Sequence, residues 1–171
     1  MRVQDVIRGI KTDLQVSDWG NGNFPKAKFR LSRAGKRAYS FGKAWDWRFA
    51  EFSCAERRFI IRLIVCVDKM KAHAHLALRT EDGNLTVLCS YEFHADRFTG
   101  WHLHSLCGEK NDIDAAPTGT LVHGPWVKRL PHCHAPHRRT EFYQDMQGGP
   151  KAWLWHETLR FFRIDEKGSL V

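Results

Sequence analysis

Three histidines, His94, His102 and His104, follow one another closely in the sequence, with Tyr91 just ahead of them. An imidazole has an unperturbed pKa near 6.5, so both of its protonation states are accessible at neutral pH and a pair can serve as general base and general acid. Cleavage of RNA suits such a pair. The 2′-hydroxyl is an internal nucleophile; one imidazole takes its proton while the other protonates the leaving 5′-oxygen. On this reading His102 and His104 are base and acid, His94 supports them, and Tyr91 is a secondary candidate. Charge on the phosphorane calls for fixed cations, and Arg97, Lys128, Arg129, Arg138 and Arg139 are the nearest in sequence. Trp101 and Trp126 are candidates for stacking unpaired bases, at about 1–3 kcal/mol per contact. This chemistry requires no cofactor.

A second chemistry uses the same residue type. His102, His104, His132 and His134, with Cys133 nearby, could form an all-histidine site for zinc or another divalent ion. Zinc sites with three histidines and an open water position hydrolyse phosphates and esters. The neighbouring carboxylates, Glu92, Asp96, Glu109, Asp112 and Asp114, are a thin supply for a two-metal nuclease.

His73 and His75 form another pair. At i, i+2 on a strand they share one face, as metal ligands, as catalysts or simply as a polar strand face. The string from Met70 to Leu78 resembles the HUH signature of single-strand nucleases, which also need a tyrosine on a following helix. Here a hairpin follows instead, which favours the polar strand face. Arg97 and His102 have the Arg-x4-His spacing of HEPN ribonucleases, but Thr99-Gly100 disfavours the helix that motif requires.

Between residues 78 and 107 the layout resembles that of TumE-type toxins of bacterial toxin–antitoxin pairs. The matching pieces are the turn Asp82-Gly83-Asn84-Leu85, the aromatic Tyr91, His94, and then His102-Leu103-His104. The doubled histidines and prolines of that family are absent, and a long Gly/Pro/His stretch follows where its chain would finish. The resemblance implies an RNA-directed toxin paired with a protein antitoxin.

The elements that must position these residues are legible in the periodicity. Val3, Val6, Ile7 and Ile10 fall at helical spacing and predict a helix over residues 2–14. From Ala27 to about Tyr91 the period is two: Phe29 and Leu31, then Trp45, Trp47 and Phe49, then the doubly apolar run Phe59 to Cys66, which reads as a central strand. Ala72–Leu78 and Leu85–Tyr91 are joined by a turn whose Asp82-Gly83 pair is a hairpin signal. His94 to His104 then projects from the rim of the sheet. Residues 108–140 have no period and read as a long basic loop, with no acidic residue from 115 to 140. Pro150 opens a last helix whose stripe is Trp155, Leu159 and Phe162. The expectation is one α+β domain over residues 1–171: an antiparallel sheet of about five strands in meander order, an N-terminal and a C-terminal helix, and the loop.

The 171 residues carry a net charge of +8, a balance that suits polyanionic partners. Apolar runs are too short to span a membrane. The five cysteines show no CxxC spacing and suit a reduced, cytoplasmic protein. The expected function is therefore a metal-independent endoribonuclease, a toxin of a toxin–antitoxin or phage-defence system, with RNA and an antitoxin as partners. The alternatives are a non-catalytic basic protein that binds nucleic acid or blocks an acidic protein surface, and a histidine-ligated, metal-dependent nuclease or phosphoesterase.

Overall fold

The structure is a computed structural model. It describes residues 1–25, 28–29, 42–81, 83–94, 100–105, 112–115, 127–129 and 148–165, with the backbone alone at residues 94, 100, 105, 115 and 127–129. Among these residues the architecture is α+β: a long antiparallel sheet carrying two helices.

Helix α1 (Val3–Arg8) buries Val3 and Val6. The Asp5 carboxylate accepts the Arg2 N–H at 2.8 Å and so closes the helix start. The helix stops at Gly9, short of the predicted residue 14. A Cβ on Gly9 would lie 2.8 Å from both the Asp5 carbonyl oxygen and Cys54 Sγ, so only glycine lets the chain pass here. Lys11 Nζ then donates to the Ile7 and Gly9 carbonyls at 2.9 and 2.8 Å, satisfying groups the helix end leaves over. Ile10, counted into the helical stripe, is exposed. The chain continues as strand β1 (Thr12–Val16) and the two-residue strand β2 (Gly20–Asn21).

Four long strands form the centre: β3 (Trp45–Cys54), β4 (Arg57–Cys66), β5 (Lys71–Arg79) and β6 (Leu85–His94). Beyond them lie β7 (Gly100–Ser105) and β8 (Val127–Arg129). The strands run side by side as β1-β3-β4-β5-β6-β7-β8, and β2 also pairs with β3. The expected five strands are thus extended at both ends. The run from β3 to β8 is a meander; β1 departs from it by pairing with β3. The strand expected from Ala27 is a turn where it is described: Lys28 N–H donates to the Pro25 carbonyl at 2.9 Å. Within the expected 108–140 loop, Ile113–Ala115 form a 3-10 turn and Val127–Arg129 form β8.

The two faces of the sheet differ. One carries Phe52, Phe59, Ile61, Leu63, Val65, Leu76, Tyr91, Phe93 and Trp101, and packs against α1 and against α2 (Gly149–Phe162). Helix α2 starts as predicted, with Pro150 in its first turn, but its most buried stripe is Leu154, Thr158 and Phe162. The other face has no described helix over it. At one end it holds an apolar cluster of Phe29, Phe49, Ile60, Ala77, Leu85 and Val87. At the other end stand polar side chains, described next.

Strand β6 serves both faces through one extra residue. Leu76 pairs with Cys89 but Ala77 pairs with Val87, leaving Leu88 as a bulge. Without it, strict alternation from Leu85 and Val87 would turn Ser90 and Glu92 toward the helices.

Candidate metal centre

Cross-strand register builds the polar end from two adjacent rows. In one, Ile64, His73, Glu92, His102 and Arg129 pair in succession across β4 to β8. In the other, Arg62, His75, Ser90, His104 and Val127 do the same. Directly opposite residues stand within side-chain contact, so four imidazoles surround one carboxylate.

Glu92 is the hub, and it is 5% exposed. His73 Nδ1 lies 3.2 Å from Glu92 Oε2, and His102 Nε2 lies 3.7 Å from the same oxygen. His75 Nε2 lies 3.9 Å from Oε1, which also accepts the hydroxyl of Ser90. The His73 and His75 rings stack at 5.6 Å, and the His102 and His104 rings meet edge-on at 5.0 Å. Trp45 tilts against His73 from β3, with ring centres 6.2 Å apart.

Two overlapping triads result, His73/His75/Glu92 and Glu92/His102/His104. In each, the candidate ligand atoms lie within 4.8 Å of one another. Ligands bonded to one zinc ion at about 2.0–2.2 Å are necessarily within about 4 Å of each other, so small side-chain adjustments would close either set. Two histidines and a carboxylate leave positions open for substrate or water. The donor set therefore fits a divalent ion.

Beside this group, on β4 opposite His75, lies Arg62, 1% exposed. Its guanidinium stacks on Phe29 and Phe24 at 4.3 and 5.4 Å, and its Nη2 is 3.4 Å from His75 Nδ1. The aromatic rings and the imidazole replace part of the hydration that a buried cation gives up.

The structure brings His102 and His104 together on a strand, β7, paired between β6 and β8, where they were expected to project from the rim of the sheet. It joins them to His73 and His75, which the sequence left as a separate pair. His94 ends β6, its backbone paired with Lys71 and Gly100. Lys128 and Arg129 lie on β8, their backbones opposite Leu103 and His102. Arg97, Trp126, His132, His134, Arg138 and Arg139 lie outside the described residues.

Tyr91 and Trp101 are on the opposite face. The Tyr91 ring is sandwiched between Trp101 and Phe161, each 4.0 Å away, and Trp101 also packs against Trp153 at 5.0 Å. The sheet separates both from the histidines, and the stacking faces of these rings are occupied by core aromatics. His102 sits in a strand, which removes the helical setting an Arg-x4-His motif needs. Likewise β5 runs into β6 through a hairpin, where an HUH enzyme would have its tyrosine-bearing helix.

Glu92, Ser90 and Arg62 were not read from the sequence as one site. The signal was present in part: Tyr91, Phe93, Trp101 and Leu103 alternate with Ser90, Glu92, His102 and His104. That alternation places the polar set on one face once β7 is recognised as a strand. Comparison with known proteins gives no match to any protein family, any curated protein or any solved structure.

Proposed function

We propose that the chain is a divalent-metal-dependent phosphoesterase acting on nucleic acid, with its ion held by the histidines around Glu92. The observation that carries this reading is the convergence of four imidazoles on one buried carboxylate. A hydrogen-bonded dyad needs only two of these groups, whereas an ion makes use of several at once. The net charge of +8 supports a polyanionic substrate. A divalent ion there supplies Lewis acidity and a water that ionises near neutral pH. Glu92 brings the negative charge that offsets the ion, the neutral imidazoles bring nitrogen donors, and Ser90 holds one carboxylate oxygen in place. The three described cysteines, Cys54, Cys66 and Cys89, are unpaired and buried, which suits a reducing cytoplasm.

The test uses the purified full chain: bound metal by mass spectrometry, and cleavage of labelled single-stranded RNA and DNA. Cleavage is expected to stop on chelation, to return with zinc or manganese, and to fall at least about 100-fold in Glu92→Gln. Cleavage indifferent to chelator overturns the metal reading. A chain that neither cuts nor holds metal, yet binds nucleic acid in a salt-dependent way, is a non-catalytic binding protein.

One observation favours a second reading. His102 has Glu92 on one side and His104 on the other, which is the order of a carboxylate-oriented acid–base pair. A metal-free ribonuclease, including a toxin restrained by an antitoxin, would work this way. Its mark is chelator-resistant cleavage of RNA but not DNA, with growth arrest on induction that His102→Ala/His104→Ala relieves.

A further inference from the structure

Donor accounting around His75 decides between the two triads. A guanidinium has only N–H donors and no acceptor. Arg62 Nη2 lies 3.4 Å from His75 Nδ1, with both side chains buried. That nitrogen must therefore be the acceptor, and a neutral imidazole then carries its proton on Nε2. Nε2 is the atom that faces Glu92 Oε1, at 3.9 Å. With a proton in that position it has no lone pair to give an ion.

The same accounting divides the two oxygens of Glu92. Oε1 receives the Ser90 hydroxyl and faces the Nε2–H of His75. Oε2 is turned toward His102 Nε2, at 3.7 Å, and His73 Nδ1, at 3.2 Å. The oxygen that does not receive the Ser90 hydroxyl is the one His102 of β7 faces, with His73 of β5 on its other side.

We infer that Arg62 is a positioning residue: it fixes His75 as the Nε2–H tautomer, so that His75 turns a proton rather than a lone pair toward Glu92, and the ion is held by Glu92 Oε2, His102 and His104. This rests on the metal reading above. It resembles the general arrangement in which a ligating carboxylate is itself held by hydrogen bonds from a surrounding layer.

Three measurements test it. Nitrogen–proton correlation NMR on the metal-free protein reads the tautomer directly. His75 is expected to carry its proton on Nε2, and in Arg62→Met that preference is expected to be lost. A wild-type His75 protonated on Nδ1 overturns the inference. Cobalt(II) binding, followed by its visible absorption, reads the ligand set. His75→Gln, which keeps an N–H donor, should bind within about 10-fold of wild type and with the same spectrum. His102→Gln and His104→Gln should each bind at least about 100-fold more weakly or change the spectrum. Loss of cobalt in folded His75→Gln, with wild type binding, overturns the inference alone. A wild-type protein that takes up no cobalt overturns the metal reading itself, and the ligand assignment with it. Thermal melts of each variant show which are folded, and the wild-type NMR measurement depends on none of them.

Discussion

Arg62 and His75 stand directly opposite each other on β4 and β5, and the guanidinium meets the imidazole with 1% and 3% of the two residues exposed. A permanent cation has thus been placed in the interior, one imidazole away from the carboxylate of Glu92. His75 stands between the two opposite charges. Removing either one leaves the other buried, a situation that typically costs about 3–5 kcal/mol.

Arg62→Met should therefore destabilise the metal-free protein by about 3–5 kcal/mol. The loss should be smaller when divalent ion is present, because the ion offsets Glu92 in place of the guanidinium. Denaturant melts with chelator and with zinc measure both values. Equal losses in the two conditions would remove the charge link between Arg62 and Glu92.

Glu92→Gln should behave in the opposite way toward metal. An ion at 100 times its Kd stabilises a protein by about 2.7 kcal/mol, or about 5–10 °C in Tm at this chain length. That shift is expected in wild type and absent in Glu92→Gln, measured by thermal scans with and without added ion.

Tyr91 separates a structural from a catalytic role. Its hydroxyl makes a long, 3.5 Å hydrogen bond to Glu157, while its ring is stacked on both sides. Tyr91→Phe should cost no more than about 1.5 kcal/mol and leave nucleic-acid cleavage at the wild-type rate. Tyr91→Ala should cost about 3–5 kcal/mol through the cavity it opens. A collapse of activity in folded Tyr91→Phe would place the hydroxyl in the reaction.

Stability should turn over in mild alkali. Burial lowers the Lys11 pKa to about 8 from 10.5. The unfolded chain binds that proton more tightly, so above pH 8 this group favours folding as pH rises. Burial pushes the Cys89 thiol up to about 12 from 9.0 and raises Cys54 as well. Those protons are held more tightly in the folded state, so above pH 9 the thiols oppose folding as pH rises. Denaturant midpoints across pH 7–11 should rise slightly between 8 and 9 and then decline. Lys11→Met should remove the rise, and Cys89→Ala should make the decline shallower. Identical profiles for all three proteins would contradict these shifts.

Local patterns made part of this legible. The hairpin that joins Arg79 to Leu85, the apolar run of β4 and the start of α2 at Pro150 are short-range signals, and they hold in the structure. The i, i+2 spacing of His73 with His75, and of His102 with His104, already puts each pair on one face. What joins the pairs is long-range strand register, which no window of sequence contains. Trp101, His102, Leu103 and His104 alternate as a strand should, yet Leu85–Tyr91 reads as the last strand and the segment after it as a projection from the rim. At the N-terminus, helical spacing through Ile10 outweighed a glycine that the close approach of Cys54 makes obligatory.

The bulge at Leu88 has a consequence for how such a chain can vary. Substitutions at Ser90, Glu92 or the histidines change the chemistry one group at a time. Loss of a single codon between residues 86 and 89 does something different in kind. It reverses the phase of everything downstream in β6, sending Glu92 into the aromatic layer under α2 and Tyr91 and Phe93 out beside the histidines. A kindred chain with the same histidines but a β6 one residue shorter would have a similar composition and no carboxylate at the centre. When chains like this one are compared, the count of residues between Leu85 and Glu92 is as diagnostic as their identity.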